Sequence, residues 1–201
     1  MNRKQEILSL ARRLFAEKGY NGVSMRDIAA ALQISVGNVT YYFKLKEELI
    51  EAIVLDMQKE YKPRPAPQTL GELAELIVHI QELQEQFAFY FGHRTQLAQV
   101  SAKINEVQIR MLRENKILWQ RTFHNLSLAG LIKKEDYPHQ YEHLGKALRM
   151  VTMYWSELSK LEAESFPERV ELKECVWGMV IPLLTYEGRK LYEREIAAKP
   201  Q

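Results

Sequence analysis

The chain has 201 residues, 46% of them hydrophobic, and its 28 Lys+Arg are nearly balanced by 26 Asp+Glu. Such a composition excludes a disordered chain, which requires low hydrophobicity and high net charge, and the whole molecule is not a strongly basic nucleic-acid binder. A single cysteine, Cys175, excludes an internal disulfide framework and a cysteine-only zinc site.

The N-terminus, MNRKQEILSLARRLF, interrupts every apolar run with charge and does not read as a signal peptide. Ile7, Ala11, Leu14 and Phe15 fall at helical spacing and Gly19 supplies a stop. Ser24 with Asp27 three residues later forms a capping-box pattern. It opens a second, two-turn helix with Met25, Ile28, Ala29 and Leu32 on one face. After Gln33 and Ile34, Ser35 is a suitable N-cap for a third helix to Phe43, with Val36, Val39 and Phe43 on the buried side. A fourth helix runs from near Lys46 toward Tyr61, with Leu49, Ile50, Ile53, Val54 and Met57 facing inward. The uncharged stretch Ile28–Phe43 is too short and too polar to span a bilayer.

The segment KPRPAPQ follows, with Pro63, Pro65 and Pro67, and helix cannot continue through it. This places a domain boundary between residues 1–62 and 63–201. Beyond it the spacing predicts helices over about 70–91 (Leu70, Leu73, Ile77, Ile80, Phe87, Phe91), 93–101, 103–129 with Gly130 as stop, 138–163 and 166–196. Ser165 and Glu168 repeat the capping-box pattern, with Pro167 in the first turn, and Pro182 should kink the last helix. The fold class is therefore all-α: an N-terminal three-helix helix-turn-helix head and a larger C-terminal helical bundle, about nine helices in all.

Charge is uneven along this plan. Residues 1–46 carry eight Lys/Arg against three acids, and the remainder carries 20 bases against 23 acids. A tight helical hairpin within a basic head is the arrangement that inserts its second helix into the major groove of DNA. Val36, Gly37, Asn38, Thr40, Tyr41 and Tyr42 would face outward, and Lys46 at the start of the next helix suits a phosphate. A helical hairpin buried in an all-α core would use the same residues otherwise.

Residues 14–54, LFAEKGYNGVSMRDIAAALQISVGNVTYYFKLKEELIEAIV, resemble the DNA-binding head of the tetracycline-repressor (TetR/AcrR) family. The resemblance lies in LFAEKGY closing the first helix, S-x-R-D-I-A opening the second, S-x-G-N in the recognition helix, then Y-Y-F and K-x-E-L. It implies that Tyr42 and Lys46 hold phosphates, that Ser35, Gly37, Asn38, Thr40 and Tyr41 sit in or beside the groove, and that Arg26 faces the backbone or an adjacent base. Two positions depart from the pattern. Thr40 stands where the family most often has an aromatic residue, and Gln33 where the turn often has Gly. If position 33 needs positive φ, Gln there costs about 1 kcal/mol.

The resemblance also implies a C-terminal body that binds a small ligand and dimerises. Leu144, Leu148, Val151, Trp155 and Leu158, and Leu172, Val176, Met179 and Leu183, follow alternating four/three spacing that suits a four-helix dimer interface or a seam inside the monomer. Phe87, Phe91, Trp119, Phe123 and Tyr154 could wall a largely apolar ligand site, or form core. His93 and Arg94 could meet an anionic group. His139 and His143 lack an evident third metal ligand, and Cys175 reads as a buried small residue. No metal, cofactor or catalytic motif is expected. The expected function is a ligand-responsive, cytoplasmic DNA-binding transcriptional repressor, a homodimer on a palindromic operator. The alternative is a helical small-molecule or protein-binding module without specific DNA binding; an all-α enzyme would need an acid/base pair that the sequence does not present.

Overall fold

A computed structural model describes residues 2–61, 63–167 and 170–198. Among these residues the chain forms eleven α-helices and no strand, only an isolated bridge between Ile132 and Leu184. They assemble into two compact units, residues 1–62 with 87–110 and residues 63–86 with 111–201.

The first unit begins with α1 (Arg3–Lys18), capped by the Asn2 side chain and ended at Gly19 with φ 71. Its buried face is Ile7, Leu8, Leu10, Ala11, Leu14 and Phe15. Helices α2 (Met25–Ala31) and α3 (Val36–Tyr42) follow, then α4 (Lys46–Glu60), whose Leu49, Ile50, Ile53, Val54 and Met57 are all buried. The chain returns to this unit with α6 (Ala88–Gly92), α7 (Arg94–Val100) and the start of α8 (Ala102–Leu128). Phe89 stacks on Phe15 at 5.7 Å, and the Arg12 guanidinium lies 5.0 Å over the Phe87 ring. Glu51 of α4 accepts hydrogen bonds from Ser101 and, at 3.0 Å, from Lys103.

These aromatic contacts correct the helix expected over 70–91. In the structure α5 (Leu70–Gln86) stops at Phe87, which has φ −115 and ψ 32, and α6 begins afresh. The apolar spacing runs on unbroken, but the aromatics after Gln86 pack in the other unit.

The turn between α2 and α3 puts Gln33 at φ 56. A side chain in the left-handed region costs about 1–2 kcal/mol, against about 0.4–1 kcal/mol of extra chain entropy that glycine loses on folding. Gln33→Gly should therefore raise stability by about 0.5–1 kcal/mol. A denaturant midpoint that stays level or falls would count against strain at this residue.

The core of the second unit contains Leu70, Leu73, Leu76 and Ile77 of α5, Trp119, Phe123 and Leu126 of α8, Leu148 of α9 (Gln140–Ser165), and Leu172, Val176, Trp177 and Val180 of α10 (Leu172–Val180). The proline segment joins it: Pro67 is buried, and the Asn125 amide donates to the carbonyls of Ala66 (3.4 Å) and Pro67 (3.2 Å).

The expected 166–196 helix is divided. Glu168 of the Ser165–Glu168 pattern lies outside the described residues; the box that opens α10 is formed by Glu171 and Glu174. Pro182 ends the helix rather than kinking it. It sits in a single tight turn, Ile181–Leu183, after which Leu184 is extended and Thr185 caps α11 (Tyr186–Tyr192).

Candidate nucleic-acid interface

Local chemistry fixes the two hairpin helices. The Ser24 hydroxyl accepts from the Asp27 amide at 3.2 Å, while the Asp27 carboxylate accepts from the Ser24 amide at 2.7 Å and from its hydroxyl at 2.6 Å. These bonds hold the Asp27 carboxyl below the usual carboxylate range. Ser35 caps α3 by accepting from the Asn38 amide at 3.2 Å. Val39 and Phe43 are sealed beneath α3, and the Lys4 ammonium stands 5.5 Å from the Phe43 ring.

The opposite side of α3 is uncovered by its own unit. Gly37 and Asn38 are exposed, Tyr41 is 82% exposed and Tyr42 37%, with the two tyrosine rings edge-on at 5.0 Å. A Cβ on Gly37 would meet only the Ser35 hydroxyl oxygen, at 3.7 Å, so packing within the chain does not demand glycine there. Val36, placed by the sequence both on the buried side and among the outward positions, is 38% exposed at the leading end of the helix. Arg26 is exposed in the first turn of α2. Thr40 is half-buried and its hydroxyl is engaged with the carbonyls of Val36 (3.1 Å) and Gly37 (3.2 Å). Leu45, the residue before α4, is also exposed.

Lys46, expected at a phosphate, has two of its three donors engaged within the chain. Its ammonium donates to the carbonyls of Tyr20 (2.6 Å) and Val23 (2.7 Å) and lies 4.0 Å from the Tyr20 ring centre. Burial pulls this ammonium below the ordinary lysine range, partly offset by Glu47 and Asp27, and burial beside Glu47 pushes the Tyr20 phenol up to about 12. The side chain thus pins the α1–α2 turn to the start of α4. The amides of that start have no side-chain cap and remain suited to an anion.

The ligand-site candidates fall in both units. Phe87, buried, and Phe91, half-buried, belong to the first unit. In the second unit Trp119 and Phe123 are core residues with rings 6.0 Å apart, and Tyr154 is 62% exposed. His93 and Arg94 are half-buried in the first unit, His93 Nδ1 lying 3.0 Å from the Phe89 carbonyl.

The interface candidates divide likewise. Leu148, Leu172 and Val176 are fully buried in the core of the second unit, and Leu144, Val151, Trp155, Met179 and Leu183 pack against it half-buried. Leu158 alone of the nine is exposed, in a stripe with Met150, Tyr154 and Leu161. His139 and His143 are exposed with ring centres 6.4 Å apart, and among the described residues no three His, Cys, Asp or Glu side chains gather as a metal site. Cys175 is half-buried rather than sealed. No helix among the described residues is long and apolar enough to cross a membrane.

Two family models match the chain: "Bacterial regulatory proteins, tetR family" over residues 7–53, and "Bacterial transcriptional repressor" over residues 54–192. Among curated proteins, the probable HTH-type transcriptional regulator YttP of Bacillus subtilis is 27% identical over 162 residues, covering 73% of this chain and 75% of YttP. Among solved structures, a TetR-family regulator from Marinobacter aquaeolei superposes with TM-score 0.80 at 23% identity, covering 98% of this chain and 97% of its own. AibR, solved with isovaleryl coenzyme A and operator DNA, superposes with TM-score 0.64 at 18% identity, covering 91% of this chain and 98% of AibR.

Proposed function

The chain belongs to the TetR family of bacterial transcriptional regulators, and from that premise we propose how its parts act. The exposed side of α3 reads an operator in the major groove, as the operator complex of the neighbour AibR supports. Gly37, Asn38 and Tyr41 meet the DNA, Tyr42 and Arg26 bear on the backbone beside them, and the α4 amides take a phosphate. The observation that carries this reading is the asymmetry of α3: Val39 and Phe43 are sealed while Tyr41, one turn from Gly37, has no cover. Ser35 and Thr40 support the helix, since their hydroxyls are engaged with its backbone.

The protein works in the cytoplasm as a homodimeric repressor rather than an enzyme. Its two-fold contact includes the stripe Met150, Tyr154, Leu158 and Leu161, an apolar line that the monomer leaves open. A small, largely apolar ligand shifts the population between DNA-competent and released arrangements, by no more than its differential affinity for the two.

The test selects bound fragments from genomic DNA and titrates them with variants. Tyr41→Ala should leave the melting temperature unchanged and weaken operator binding by about 1–3 kcal/mol, roughly 5- to 150-fold. Asn38→Ala should relax sequence preference. Footprints should show paired half-sites near one DNA turn or a multiple apart. Unaltered affinity in both variants would move the interface elsewhere, and the absence of any specific fragment would favour a binding module without DNA specificity.

A further inference from the structure

The side chains of α3 limit the kind of base pair it can read. Its sequence, VGNVTYY, holds no Arg, Lys, Asp or Glu. The commonest specific contact to guanine in the major groove is an Arg or Lys on its O6 and N7, and the cytosine amine is met by an acid. The helix offers neither. Its one carboxamide, the exposed Asn38, is of the type that pairs with adenine. The partner of adenine presents a further feature, the thymine 5-methyl, which apolar groups recognise by contact.

Two residues supply such groups. Val36 opens α3 and is 38% exposed. Thr40 lies one turn on, so the two side chains share one flank of the helix. The Thr40 hydroxyl is committed to the carbonyls of Val36 at 3.1 Å and Gly37 at 3.2 Å. The remaining group of this half-buried side chain is its γ-methyl. Val36 and Thr40 therefore form a short apolar ridge. Beside it stands Gly37, where the missing Cβ leaves room for a base edge to come close. The ridge is separate from the packing of the helix, which is carried by the sealed Val39 and Phe43.

We propose that Val36 and the Thr40 methyl read a thymine 5-methyl, so that each half-site carries an A·T pair beneath the leading turn of α3. This rests on the operator reading and names a base pair which that reading leaves open.

The test uses the full-length chain and an operator duplex selected from genomic DNA. Each thymine is replaced in turn by deoxyuridine, which keeps the pairing and loses only the methyl. One thymine in each half-site should prove sensitive, with binding about three- to fivefold weaker once its methyl is gone, the effect of one buried methyl group. Thr40→Ser keeps the hydroxyl and its two backbone bonds but lacks the methyl. It should lower affinity for the thymine duplex and narrow the preference for thymine over uracil. Val36→Ala should act at the same base, and the two changes together should erase the preference. Asn38→Ala should weaken the thymine and uracil duplexes equally. A duplex bound specifically yet indifferent to uracil at every thymine, or a full thymine preference retained in the double variant, overturns this proposal and leaves the operator reading standing. If no duplex is bound specifically, the operator reading falls and this inference with it.

Discussion

Replacing Lys46 with methionine is expected to destabilise the protein by about 3 kcal/mol, since it removes two hydrogen bonds from a charged donor, each typically worth about 1.5–3 kcal/mol, less what the methionine stem recovers by packing. The carbonyls of Tyr20 and Val23 then lose a donor where little water reaches them. Those carbonyls belong to the turn before α2, so the loss also loosens the seating of the hairpin. Operator affinity should fall for every sequence. The salt dependence separates this pin from a phosphate ligand. If Lys46 neutralised a phosphate, its removal would lower the slope of log K against log salt by about 0.9 while stability held. With two of its three donors held by backbone carbonyls, the expected result is the opposite: stability falls and the slope is unchanged. Chemical denaturation alongside a salt titration of operator binding decides between them, and a reduced slope at wild-type stability would return Lys46 to the DNA.

The contrast shows what a sequence can disclose. Helices α1 to α4 were legible because their determinants are local: apolar spacing, the Ser24–Asp27 box, the Ser35 cap and the Gly19 stop act within a few residues. The exposed side of α3 was legible for the same reason, with Val36 assigned to both sides because it lies on the margin between two faces. Lys46 was not, because its partners are 23 and 26 residues earlier. Nor was the break at Phe87, where the same apolar spacing continues while Phe89 finds Phe15 some seventy residues away. Four/three spacing marks a helix seam without naming its partner, so Leu148, Leu172 and Val176 looked no different from residues that meet a second copy. Pro182 announced an irregularity, but its form depended on Thr185 reaching a distant turn.

At that turn, Gly188→Ala is expected to destabilise the protein by about 2–3 kcal/mol, although alanine is the better helix former by about 1 kcal/mol. The cause is backbone against backbone. A Cβ at position 188 would overlap the Leu131 carbonyl oxygen and stand 3.0 Å from its carbonyl carbon. A carbonyl cannot rotate away as a side chain can, and this one also accepts from the Thr185 amide at 3.1 Å. The Thr185 hydroxyl meanwhile donates to the Gly130 carbonyl at 2.7 Å and accepts from the Gly188 amide at 3.0 Å. Displacing residue 131 therefore disturbs the cap of α11 and its seat together, and limited proteolysis should open between residues 131 and 139 or near 184. Gly178→Ala is the matched control, also within a helix, where the new methyl would meet nothing within 4 Å. It should stabilise by about 0.5–1 kcal/mol. Melting temperatures moving in opposite directions would establish that close approach, not helix propensity, keeps glycine at 188; a rise in both would refute the overlap.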